Sequence, residues 1–155
     1  MNKTNAMRIL DKAHMTYTTH TYPHPNGVVD GMSVASLTNQ NPSQVFKTLI
    51  TSASHQYYVF MLPVNSELNL KAGAKAVQEK SLSMIPVKDI QKISGYIRGG
   101  CSPIGMKKQF KTIIDQSAFN FETILFSGGQ IGTQIEMNPK DLINLIQGQA
   151  ASIIE

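Results

Sequence analysis

The chain has 155 residues, of which 41% are hydrophobic and 15% charged; a chain of this size buries roughly two-thirds of its unfolded surface, so one domain spanning 1–155 is expected. Fourteen Lys and Arg against ten Asp and Glu leave a net charge of +4, compatible with an anionic ligand but too small a surplus to mark a nucleic-acid binder, and no DNA partner is expected. One cysteine, Cys101, excludes an internal disulfide and suits a reducing compartment, and with no apolar signal core in MNKTNAMRIL and no stretch of membrane-span length the expectation is a soluble cytoplasmic protein.

In chain order, Ala6, Ile9, Leu10 and Ala13 recur at helical spacing and predict an amphipathic helix ending near His14. TYTTHTY (16–22) alternates as a short strand, and PHPNGVVDG (23–31) reads as a mobile loop. Met32–Leu37 predicts a short helix. Asn41-Pro42 resembles a cap and first turn ahead of the strand that carries Lys47. SASHQ (52–56) joins that strand to YYVFMLP in a hairpin. Asn69 is placed to cap a helix running to about Gln78, with Ala72, Ala76 and Val77 as its apolar face, and Pro86 to open another through Ile93. GYIRGGCSPIGMKKQ (95–109) interrupts all periodicity. FKTIID, ETILFS and IGTQIEM then predict three strands, with SGGQ turning between the last two, and Asn138-Pro139 opens a closing helix. Strands predominate without regular βαβ alternation, which predicts an α+β domain built on a central mixed, barrel-like sheet flanked by short helices.

Within this frame VFKTLI (45–50) puts a lysine in the middle of an apparently buried strand. Val45, Lys47 and Leu49 look one way and Phe46, Thr48 and Ile50 the other, and neither face is plainly wet. An ammonium so enclosed must snorkel, pair or lose its proton. Gly95, Gly99, Gly100 and Gly105 surround Cys101-Ser102-Pro103; glycine lets main-chain N–H groups converge on an anion, although a plain structural turn reads the same way. The loop has neither Walker nor dinucleotide spacing. Cys101 has no histidine at a catalytic local spacing and reads as a small inert core residue. Ser127 before Gly128-Gly129 is a hydroxyl suited to a turn, and Tyr22 suits either stacking on a base or half-buried packing. His14, His20, His24 and His55 form no metal motif with Cys101, and neither metal nor cofactor is expected.

VFKTL, then GYIRGGCSPIGMKK, then SGG followed closely by QIE, in this order and near this spacing, resemble the YbaK family of aminoacyl-tRNA editing proteins, the Cys-tRNA(Pro) deacylases. The likeness runs from His20-Thr21-Tyr22 to the closing helix. It implies an α+β fold and a pocket for the aminoacylated 3′ CCA end of tRNA. It also implies removal of cysteine from Cys-tRNA(Pro), with Cys-tRNA(Cys) a further substrate, alongside prolyl-tRNA synthetase. Relatives of this fold also remove alanine. The family lysine falls on Lys47, which would hold the terminal nucleotide or the ester. The family's Gly-x-x-x-Pro loop falls on Gly99, Gly100, Cys101, Ser102 and Pro103, whose N–H groups would face the ester carbonyl. Tyr22, Ser127, Gly128, Gly129 and Gln134 fall on substrate-contacting positions. Gln134 stands where some relatives carry a carboxylate, and Cys101 occupies a variable position of the loop. The attacking group is then the substrate's own thiol or a water. A non-catalytic module that binds nucleotide or tRNA ends, and a hydrolase or redox protein dependent on Cys101, are the competing readings.

Overall fold

The computed structural model describes residues 3–155. Helix α1 (Asn5–Lys12) starts where the Thr4 hydroxyl accepts the Met7 N–H at 3.3 Å, and it buries Ala6, Met7 and Leu10 on one stripe. It ends two residues before His14, which turns the chain with φ 57°. Strand β1 (Thr18–Thr21) follows, and then α2 (Gly31–Leu37), capped by Asp30 through the Ser33 N–H at 2.9 Å. The expected cap and turn form at Asn41-Pro42: the Asn41 side chain accepts the Ser43 N–H at 3.0 Å and its carbonyl the Gln44 N–H at 2.9 Å, a single turn that feeds directly into β2 (Phe46–Ala53).

β2 and β3 (Gln56–Pro63) form the expected hairpin, with Lys47 opposite Leu62. Asn69 caps α3 (Leu70–Ala76), and Ser83–Met84 makes a two-residue strand, β4. The helix expected from Pro86 divides into a 3-10 turn over Val87–Asp89 and α4 (Ile90–Ser94), so proline precedes the first turn instead of occupying it. β5 (Lys111–Asp115), β6 (Ile124–Ser127), β7 (Thr133–Met137) and α5 (Pro139–Ile146) lie where the pattern puts them. β8 (Gln149–Ala151) was not legible, because three residues of QAA carry no alternation. It is held in place by pairing parallel to β5, with the buried Asp115 carboxylate accepting the Ile153 N–H at 3.1 Å.

The strands divide into two sheets, β1-β7-β6 and β4-β2-β3-β5-β8, joined by one parallel bridge between Val45 and Leu125. The second is mixed, since β3-β5 and β5-β8 run parallel and the rest antiparallel. Phe46, Met61, Ile114, Phe126 and Ile135 fill the space between the sheets beneath α1 and α5. Leu49 packs instead with Phe60, Leu62 and Ile113 under α3. Both faces of β2 are therefore covered, which is why neither face of VFKTLI reads as wet. No helix among the described residues is long and apolar enough to cross a membrane.

Candidate active site

β2 has a gap along one edge. At its start the Gln44 carbonyl accepts the Leu125 N–H at 3.0 Å, and near its end the Ile50 carbonyl accepts the Ile85 N–H at 3.3 Å. Thr48 lies between them in the same backbone phase, so its main-chain groups turn to the open side. A cleft of about 360 Å³ opens there. Its walls are the loop from Val28 into α2, the segment Met84–Ile90, the glycine loop at Arg98, Gly99 and Cys101, and Tyr22, Ser127 and Gln134 from the other sheet.

Lys47 lines this cleft, half-buried, and has no hydrogen-bond or ion-pair partner among the described residues. Arg98 lines it too, at an exposed position. The acid on the wall, Asp30, is engaged with Ser33 through both N–H and hydroxyl, which hold its carboxyl below the usual carboxylate value. Two cations thus face a largely apolar hollow, where attraction for an anion is less screened than in open water.

The glycine loop offers fewer donors than its sequence suggests. The Gly100 N–H donates to the Ile97 carbonyl at 3.0 Å, and Pro103 has no N–H. Gly99, Cys101 and Ser102 retain N–H groups with no acceptor among the described residues. Gly99 and Cys101 are on the cleft wall; Ser102 and Pro103 are buried behind it, and Gly100 backs onto the main chain of Gln130 and Ile131. The Cys101 thiol packs against the cluster of Ile50, Val59, Ile85 and Ile93, and this burial pushes its pKa up to about 11 despite the opposing Ser94 hydroxyl. A thiol so placed stays protonated and is a poor nucleophile at neutral pH.

Tyr22 is buried, its N–H donating to the Gly132 carbonyl at 3.0 Å and its ring meeting His24 edge-on at 6.5 Å. Ser127 is on the wall, while Gly128 and Gly129 lie in the turn behind it. Gln134 is 3% exposed, and its Oε1 has no partner; the Thr48 Oγ1 is likewise buried and unpartnered. Buried polar atoms without a partner are costly, and these two belong to residues that line the same cleft.

These features take on meaning beside known proteins. Residues 28–145 match the family described as "Aminoacyl-tRNA editing domain". A protein of Enterococcus faecalis, named "Putative Cys-tRNA(Pro)/Cys-tRNA(Cys) deacylase EbsC", is 40% identical over 97% of this chain and 93% of its own. The chain belongs to the aminoacyl-tRNA editing domain family.

Among solved structures, one titled as that of a "putative trans-editing enzyme for prolyl tRNA synthetase" superposes with a TM-score of 0.83 at 18% identity, covering 99% of each chain. A hypothetical protein superposes at 0.87 and 17% identity over 96% of this chain and 98% of its own. Both support the fold. In this editing domain Tyr22, Lys47, Gly99, Cys101, Ser127 and Gln134 share one cleft, and Gly100, Ser102, Pro103, Gly128 and Gly129 are not on its wall. Reading the sequence missed Thr48 and Arg98. Their signal was present, a hydroxyl amid apolar residues in VFKTLI and a cation beside the glycine pair, but it had no direction until the β2 edge was known to be open.

Proposed function

We propose that this editing domain is a trans-acting aminoacyl-tRNA deacylase that clears cysteine from Cys-tRNA(Pro), with Cys-tRNA(Cys) as a further substrate. The observation that carries the reading is a cleft lined by Lys47, Arg98 and the glycine loop in which no activated nucleophile stands among the described residues. Burial pushes the pKa of its cysteine up to about 11, and among the described residues no histidine lines the wall beside Ser127 to activate it. An aminoacyl ester is already activated, so the protein's task is to hold it and to stabilise charge on its carbonyl oxygen.

In this reading Lys47 and Arg98 hold the phosphates and ribose of the CCA end. The ester carbonyl points to the N–H groups of Gly99 and Cys101, and the amino acid's ammonium donates to the orphaned oxygens of Gln134 and Thr48. The substrate's own thiol, with an ordinary pKa near ~8.5, is partly ionised at neutral pH and is tethered beside the carbonyl. Sulfur attacks the carbonyl carbon, the bond to the ribose oxygen breaks, and the thiol proton ends on that oxygen, freeing tRNA and a thiolactone that water opens to cysteine. Direct attack by water gives the same products and needs the same donors. Prolyl-tRNA synthetase is the partner that would supply the mischarged tRNA, and the cytoplasm is where both would meet.

The test is a deacylation assay on Cys-, Ala- and Ser-charged tRNA(Pro) and on Cys-tRNA(Cys). Release of cysteine faster than of alanine and serine supports the thiol-dependent route; equal release of all three removes it and leaves water as the attacker. Tight binding of the charged tRNA with the ester intact under multiple turnover overturns the catalytic reading.

A further inference from the structure

Behind the wall that Ser127 occupies, the start of α1 meets the turn between β6 and β7. The Thr4 hydroxyl, besides capping α1, donates to the Gly128 carbonyl at 2.6 Å. That carbonyl belongs to the same peptide unit as the Gly129 N–H, and in a planar trans peptide the two point in opposite directions. The Gly129 N–H donates to Ser127 Oγ at 3.3 Å. With one lone pair of that oxygen so occupied, the hydroxyl's hydrogen has no acceptor among the described residues, and Ser127 lines the cleft.

The local packing supports this linkage. Gly129 has φ 104°, and a Cβ there would lie 3.2 Å from the Tyr96 ring and 3.3 Å from Thr4 Cβ, so the turn is pressed between these two residues. Tyr96 is itself anchored, its hydroxyl donating to the Ile104 carbonyl at 2.5 Å. The neighbouring Asn5 donates to the Gly105 carbonyl at 3.4 Å, so the first residues of α1 touch the exit of the glycine loop as well.

We infer that Thr4 is a positioning residue: its hydroxyl sets the Gly128–Gly129 peptide plane, and through it makes Ser127 a hydrogen-bond donor toward the aminoacyl ester. This rests on the proposed deacylase reading for the identity of the ligand, but not for the tether itself. Capping and tethering separate by substitution. Aspartate caps a helix as well as threonine but cannot donate to a carbonyl, whereas serine does both.

The experiment compares Thr4→Asp and Thr4→Ser in the full chain, by hydrogen exchange of the Gly129 amide, by Tm, and by kcat and KM on Cys-tRNA(Pro). Expected are an unchanged Tm in Thr4→Ser and one lower by a few degrees in Thr4→Asp, which leaves the Gly128 carbonyl without its donor, faster Gly129 exchange in Thr4→Asp alone, and a kcat lowered roughly five- to tenfold in Thr4→Asp with KM little changed, a loss of the size of one hydrogen bond. Thr4→Ser restores both readouts. Gly129 exchange that stays slow in Thr4→Asp, or fast exchange with full kcat, overturns the inference. Should Thr4→Asp fail to fold, Thr4→Gly, which is tolerated at a cap, repeats the comparison. If the unaltered protein deacylates nothing, the functional reading fails while the exchange comparison still decides the tether.

Discussion

Replacing Cys101 with alanine tests whether the thiol on the cleft wall takes part in the chemistry. Burial raises its pKa from 9.0 to about 11. At pH 7.5 roughly 0.03% of such a thiol is ionised, against roughly 3% of one titrating at 9.0, so about a hundredfold less nucleophile is available. The side chain still packs against an apolar cluster, and its truncation costs about 1 kcal/mol of stability, a fall of a few degrees in Tm. The expected result for Cys101→Ala is therefore a measurably lower Tm and a kcat/KM on Cys-tRNA(Pro) within about twofold of the unaltered protein. A loss of about a thousandfold or more, the scale on which an enzyme loses its nucleophile, would refute the argument and return the reaction to a protein thiol. The same group has a pH signature. Because folding raises its pKa, the stability tied to the neutral thiol is complete below the unfolded value of 9.0 and is lost as pH rises toward about 11. Urea titrations of the two proteins at pH 7 and pH 10 should show the alkaline decline reduced in Cys101→Ala.

Three further outcomes are expected. Lys47→Ala should slow deacylation by about a hundredfold while leaving Tm nearly unchanged, because the ammonium has no partner among the described residues to lose; activity within threefold of normal, on the order of measurement scatter in such comparisons, removes Lys47 from the site. Gly100→Ala should cost about 1–3 kcal/mol in urea unfolding and lower kcat. Its new Cβ would fall 2.9 Å from Gln130 Cα and 3.1 Å from the Ile131 nitrogen, main-chain atoms that cannot rotate away. Glu136 is held below the ordinary carboxylate value first by the Thr123 hydroxyl and then by His20, at 2.5 and 2.7 Å. Folding lowers this pKa, so its stabilisation is present above the usual carboxylate range and disappears as pH falls through and below it. Acid unfolding of Glu136→Gln should lack that component.

The α+β class, the β2–β3 hairpin, the three late strands and α5 were legible because each rests on local information: alternation, a cap, or a turn of fixed length. The caps at Asn69 and Asn138 are individual side chains accepting N–H groups two or three residues away, so short spacing reveals them. β4 and β8 were not legible. Each is two or three residues long and exists only because an unrelated segment offers a ladder to join, Thr51–Ser52 in one case and Ile113–Asp115 in the other. The cap and first turn expected at Asn41-Pro42 form for the same local reason as the other caps, and the Val45–Leu125 bridge then takes the chain straight into strand.

By itself the sequence determined which groups are present: a lysine in an apolar strand, a loop of glycines with main-chain donors, a serine turn, and a cysteine with no base beside it. Tertiary structure decided which of them meet. It left the β2 edge open between two bridges and brought Ser127 and Gln134 to that opening from a second sheet. It engaged the Gly100 amide elsewhere, and it buried the Cys101 thiol deeply enough to keep its proton. Residue type is a local property, but the availability of a donor and the ionisation of a thiol depend on what surrounds them, and those surroundings come from segments far apart in the chain.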